Sequence, residues 1–197
     1  MPPDESLRER LIRCGVALLA QQGAAEVTLR SIAREAGVSH GAPRRYFPTR
    51  SALLSAIAAR GFDTLEQQLT LAMAPPADPA TRLRGASRAY VAFAVGNPGM
   101  FELMFRHDLL VAERPSLRHP SLPVFATFVG LVRAVQETGW HPDVPPRVLA
   151  GSLWSSLHGL TQLWLWGALP LATHGREVDP VLTATLDAYL PPPSPAT

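Results

Sequence analysis

Residues 28–50 read TLRSIAREAGVSHGAPRRYFPTR, and within them Leu29, Ile32, Ala33 and Ala36 fall at i, i+3, i+4 and i+7, the spacing of one helical face. Thr28 precedes that face as an N-cap hydroxyl, and Gly37 follows it where the chain must turn. Ser39 can cap a third short helix that runs to about Phe47, with Val38 plugging the angle between the two helices. Two short helices joined by a glycine-containing turn are the layout of a helix-turn-helix, whose second helix enters the major groove of DNA. The small residues Gly41 and Ala42 let that backbone approach a groove closely. Arg44, Arg45 and Tyr46 follow, and Arg50 lies just beyond them. Guanidinium groups clustered there would neutralise phosphates, and only those reaching base edges would specify sequence. Pro43 stands inside the segment, where an interior proline costs about 3 kcal/mol if it removes a hydrogen bond. So close to the helix start it conflicts only with the capping carbonyl. A tightened first turn is expected, with the helix standing.

Working outward, the same grammar continues in both directions. Ser6-x-x-Glu9 is a capping box in front of Leu7, Leu11, Cys14 and Leu18, a helix that Gly23 ends. Pro48-Thr49 opens a longer helix with Leu53, Leu54, Ile57, Ala58 and Leu65 facing inward. Beyond the break at Ala74-Pro75-Pro76-Ala77, the pairs Asp78-Pro79, Asn97-Pro98 and Asp179-Pro180 each set a capping side chain before a proline suited to the first helical position. The expected helices are 79–95, 98–106, 121–138, 146–168 and 179–190, and Pro191-Pro192-Pro193-Ser194-Pro195 begins a disordered tail. No repeat and no alternating strand pattern is present, so the fold class is all-α. The expected domains are 1–62, 63–190 and the tail 191–197.

Charge divides along the same boundary. The 197-residue chain carries 18 Lys+Arg, all of them arginine, against 16 Asp+Glu. Residues 1–60 hold nine basic and five acidic side chains, or +4, and residues 61–197 hold nine and eleven, or −2. A basic N-terminal module on a mildly acidic, more apolar remainder is expected when one end meets a polyanion. The single cysteine, Cys14, excludes an internal disulfide framework and is read as a small core residue. The charged N-terminus and the short apolar stretch Leu163–Ala172 predict neither a leader nor a membrane span, hence a cytoplasmic protein.

Residues 7–62 resemble the DNA-binding domain of the tetracycline-repressor (TetR) family of bacterial transcription regulators. The family pattern is roughly T-x-x-x-I-A-x-x-A-G-V-S-x-G-x-x-Y-x-x-F-x-x-K, met here by Thr28, Ile32, Ala33, Ala36, Gly37, Val38, Ser39, Gly41, Phe47 and Arg50. The resemblance implies a phosphate near Thr28. It also implies that Ser39, His40, Ala42, Arg44, Arg45 and Tyr46 lie on or beside the groove-facing helix, with Arg50 keeping the charge of the family's lysine. Two positions depart from the pattern: Arg44 replaces the usual tyrosine, and Pro43 falls within the recognition helix.

In that family the larger half binds a small molecule and dimerises, usually through its last two helices. Residues 153–160, with 97–105 upstream, resemble a subgroup named for a Trp-His-Gly motif. Trp154 and His158 are i and i+4 on one helical face and could line one cavity, with Met104 and Phe105 as another wall. Within its own helix His158 finds only hydroxyls such as Ser155 and Thr161 as partners, whereas Leu163, Trp164 and Trp166 are assigned to dimer packing or core. A homodimer is also expected because one short recognition helix reads few base pairs, and two-fold pairing sets two such helices about 34–36 Å apart on an inverted repeat.

The resulting expectation is a dimeric repressor of an inverted-repeat operator, controlled by a hydrophobic or aromatic effector. The alternative is a helical small-molecule sensor or partner-binding module without DNA binding. An enzyme is disfavoured. The six histidines are scattered without metal-ligand spacing to a carboxylate, and no phosphate loop or nucleophile elbow is present. No catalytic residue, metal ligand or cofactor is therefore expected.

Overall fold

The computed structural model describes residues 5–73, 77–106, 108–110 and 121–192. The described residues form α-helices and short 3₁₀ turns and contain no strand. The helices are α1 (Leu7–Gln22), α2 (Leu29–Glu35), α3 (Arg50–Ala72), α4 (Pro79–Gly96), α5 (Pro98–Phe105), α6 (Ser121–Gln136), α7 (Pro146–Leu165), α8 (Ala168–Thr173) and α9 (Asp179–Tyr189). Two 3₁₀ segments, Ala24–Glu26 and Ala42–Arg45, flank α2. Residues 193–197 of the expected tail lie outside the described residues.

Most ends are where local chemistry puts them. Ser6 Oγ accepts from the Glu9 backbone N–H, while the Glu9 carboxylate turns to Arg8 and Arg60. Gly23 closes α1 at φ 78°, and Thr49 Oγ1 accepts from Ala52 N–H at the start of α3. Asp78 accepts from the backbone N–H of Ala80 and Thr81. With the Thr81 hydroxyl as its strongest partner, its carboxyl is held below the ordinary value. Asp179 departs from expectation. It is the first residue of α9 rather than its cap, and its carboxylate pairs with Arg88 of α4 and accepts from the Thr183 hydroxyl. The short α8, after the left-handed Gly167, was not expected as a separate element.

The chain clusters into two compact units. The first comprises Met1–Thr64 and Asn97–Pro120. Its core holds Leu11, Leu18, Leu19, Ile32, Leu53, Ile57, Phe62, Phe101 and Met104. Here α1 packs on α2 and α5, and at Gly15 an added Cβ would lie 2.4 Å from Ile57 Cδ1 of α3 and 3.1 Å from Ile32 Cδ1 of α2. Cys14 is buried in this core, and burial raises its thiol. The second unit comprises Leu65–Gly96 and Ser121–Thr197. There α4, α6 and α7 pack mutually, and α9 packs on α7. Tyr90, Phe128, Val132, Leu157 and Leu186 are all fully buried in it.

Candidate functional site

The first unit builds a helix-turn-helix from a side-chain capping box at one end of α2 and a backbone turn at the other. The Thr28 hydroxyl accepts from Ser31 N–H at 3.0 Å, and Ser31 Oγ accepts from Thr28 N–H at 2.9 Å, a closed capping box. At the other end Gly37 adopts φ 65°, Val38 N–H reaches Ala33 O at 3.0 Å and Gly37 N–H reaches Arg34 O at 3.2 Å. These two bonds define a Schellman turn, which fixes the direction in which the chain leaves α2.

The segment beyond the turn is shorter and tighter than the helix expected from Ser39 to Phe47. It is a 3₁₀ helix over Ala42–Arg45, capped by Gly41, with Ser39 serving only through its carbonyl, which accepts from Ala42 N–H. The physical reason is two prolines. Pro43 offers no N–H and steers Ala42 away from α geometry, and Pro48 does the same to Phe47. Too little chain remains between them for an α ladder. Pro43 itself is buried at the second position, where its missing N–H is not needed, and its carbonyl accepts from Tyr46 and Phe47. With Pro43 and Phe47 turned inward, Ser39, His40, Gly41, Arg44, Arg45 and Tyr46 are exposed and Ala42 is half-buried. Arg30 and Arg34, four residues apart on α2, are exposed as well. Sequence reading passed over this pair, although their i, i+4 spacing opposite the apolar face signals it.

Arg50 is placed differently. Its Nε–H donates to Val27 O at 2.8 Å, and its Nη2 group donates to the carbonyls of Ala24 and Ala25. The half-buried guanidinium faces the 3₁₀ turn in front of α2.

In the second unit a second polar cluster joins α4 to α7. Trp154 Nε1–H donates to Tyr90 Oη at 3.1 Å, and Tyr90 Oη lies 2.9 Å from His158 Nδ1. An indole can only donate, so Tyr90 Oη accepts from Trp154, and its bond to Nδ1 is one that a neutral imidazole can complete in either tautomer. Burial favours the neutral ring, holding His158 below its ordinary value and pushing the Tyr90 phenol up. Around it Phe125 packs on Trp154 with ring centroids 5.8 Å apart, and Arg147 lies over the Phe125 ring. Tyr90 of α4 is therefore a partner of His158 that its own helix does not supply. Thr161 Oγ1 and Ser155 Oγ both return to backbone carbonyls one turn back. Met104 and Phe105 belong to the first unit. Met104 is buried beside Gly61, and Phe105 packs edge-on against Phe62 and Phe101.

Leu163 and Trp166, expected in dimer packing or core, are exposed at 44% and 73%. Among the described residues no group of three or more His, Cys, Asp or Glu side chains could hold a metal ion, and no helix is long and apolar enough to cross a membrane.

Residues 11–57 match a family model described as bacterial regulatory proteins, tetR family, and residues 83–189 match a tetracyclin repressor-like C-terminal domain. A nucleoid occlusion factor SlmA of Haemophilus ducreyi is 30% identical over 112 residues, 55% of each chain, so the chain spans about half the length of that relative. A solved structure from Rhodococcus sp. RHA1, titled as a protein with unknown function, superposes with a TM-score of 0.83 at 29% identity, covering 95% of both chains. The fatty acid degradation regulator FadR of Bacillus halodurans shares the fold, with a TM-score of 0.74 at 12% identity over 95% of this chain and 96% of that one.

Proposed function

The chain belongs to the tetR family of bacterial regulatory proteins, and from that premise we propose that it is a cytoplasmic, homodimeric transcriptional repressor that binds an inverted-repeat operator and is released or engaged by a small hydrophobic or aromatic effector. The observation that carries the DNA-binding half is the exposed set Arg44, Arg45 and Tyr46, presented by a proline-stiffened segment that the Gly37 turn sets off from α2. Ser39, His40, Gly41 and Ala42 lie beside this set as the close-approach surface, and Thr28 caps the helix that crosses the phosphate backbone. Residues 1–62 carry this role in the proposal and residues 63–190 carry effector binding and dimerisation.

The effector half is supported by the aromatic and polar convergence of Phe125, Trp154, His158 and Tyr90. Apolar walls with few placed polar groups are the usual make-up of a small-molecule site. The Trp-His-Gly resemblance of residues 153–160 belongs to the same proposal, because it names the residues found in that cluster. Repression is favoured over activation because a compact dimer covering a promoter needs no polymerase contact.

The test is selection of bound fragments from the source genome by the purified protein, followed by a salt titration on the best fragment. An enriched inverted repeat bound by a dimer with a steep salt slope supports the regulator. No enrichment at low salt, with dimer and helix content intact, would replace it by a sensor that does not bind DNA.

A further inference from the structure

The carbonyls of residues 24–27 sit at the entry to α2, outside its hydrogen-bond ladder, and of them Ala24 O already accepts from Val27 N–H in the 3₁₀ turn. All four take a side-chain donor. Ser31 Oγ donates to Glu26 O at 2.8 Å, and Arg50 covers the remaining three, Ala24, Ala25 and Val27. Arg50 stands at the first position of α3, 23 residues beyond Val27. The span it closes contains the whole of α2, the Gly37 turn and the 42–45 segment. Phe47, buried three residues before Arg50, closes the same span on its apolar side under the Arg8 guanidinium.

We infer that Arg50 is a positioning residue and not a phosphate contact: its guanidinium clasps the turn before α2 to the start of α3 and so holds the Thr28 cap and the recognition segment in register. The planar fork suits this task because Nε and Nη2 point in parallel at separate carbonyls. An ammonium group is a single point donor and cannot span them. Swinging the side chain out to solvent would also strip three carbonyls of a charged donor, so the clasp competes against any outward reach.

The functional part of this inference rests on the DNA-binding reading above, and the clasp itself does not. Its test uses the full chain with Arg50→Lys and Arg50→Gln, measured at a temperature where each is fully folded by circular dichroism. Amide hydrogen exchange is followed along the chain, and binding to the selected fragment is followed across a salt series. The expected result is faster exchange confined to residues 24–32 in both variants, DNA affinity lowered about tenfold in both, and a salt slope equal to that of the unaltered protein. A phosphate contact gives the opposite pattern. Arg50→Lys would then bind like the parent and Arg50→Gln would lose about 0.9 of a unit of slope. Unchanged exchange in 24–32 would overturn the clasp whatever the DNA data show. Unchanged affinity of the folded variants would reduce Arg50 to a stabilising contact. If the parent binds no fragment at all, the DNA-binding reading fails while the exchange data still decide the clasp.

Discussion

Replacing Tyr90 with Phe removes one oxygen that serves both Trp154 and His158. Taking away a shared partner of two half-buried polar groups is expected to destabilise the protein by about 1–2 kcal/mol, read from the midpoint of urea unfolding. His158 supplies a pH signature at the same place. Burial holds its folded value below the ordinary 6.5, so the unfolded chain binds the proton first. The stability it protects is then fully present above about pH 6.5 and is lost as the pH falls through the folded value. His158→Asn, which cannot titrate there, should flatten that part of the stability-against-pH curve. An unaltered curve would move the acid sensitivity to another group. For the DNA-facing residues, Arg44→Ala with Arg45→Ala should weaken binding to all fragments and lower the salt slope by up to about 2 units, near 0.9 per phosphate contact. Binding unaffected by the double change would remove the 42–46 segment from the interface.

Elements are held by their ends, and two glycines test this. Gly37 is the left-handed residue of the Schellman turn at φ 65°, with open space around it. Gly37→Ala therefore meets conformational cost without clash, about 1 kcal/mol, and should lower the melting temperature while leaving helix content unchanged. Gly85 fails for the other reason. A Cβ there would lie 2.6 Å from the Ala72 carbonyl oxygen, and a backbone carbonyl cannot rotate away as a side chain can. Gly85→Ala should force α4 off the end of α3 and cost more than the Gly37 change in the same melting experiment. At this scale most helix starts were legible because Ser6, Thr28, Thr49 and Asp78 act within one turn of their own position. The recognition helix was not read correctly. Its outcome depends on Pro43 and Pro48 acting jointly, and the local effect of either proline alone would leave an α-helix standing.

For the whole molecule the proposal requires two-fold pairing. Trp166, 73% exposed just after α7, and Leu163, 44% exposed on α7, are the apolar surface to which that proposal assigns the partner subunit. Trp166→Glu is expected to shift the protein toward monomer in sedimentation equilibrium and to weaken operator binding in proportion. A persistent dimer would place the interface elsewhere. The operator gives an independent check. Inserting five base pairs between half-sites rotates them to opposite faces of the duplex, so affinity should fall toward that of one half-site, because a rigid dimer reads sites about one helical turn apart.

The sequence by itself determined the all-α class, most helix boundaries, the helix-turn-helix and the exposed arginines at 44 and 45. Periodicity, caps, glycine and proline act within a turn or two, so their effects do not wait for distant parts of the chain. The tertiary structure alone decided which polar groups meet. Tyr90 is 68 residues from His158, Arg88 is 91 from Asp179, and Arg50 turns back 23 residues to Val27 instead of outward. No local rule ranks such partners. Which hydroxyl reaches a buried imidazole, or which carbonyl takes a guanidinium, is set by how apolar faces from separate segments pack and by what those faces leave unsatisfied.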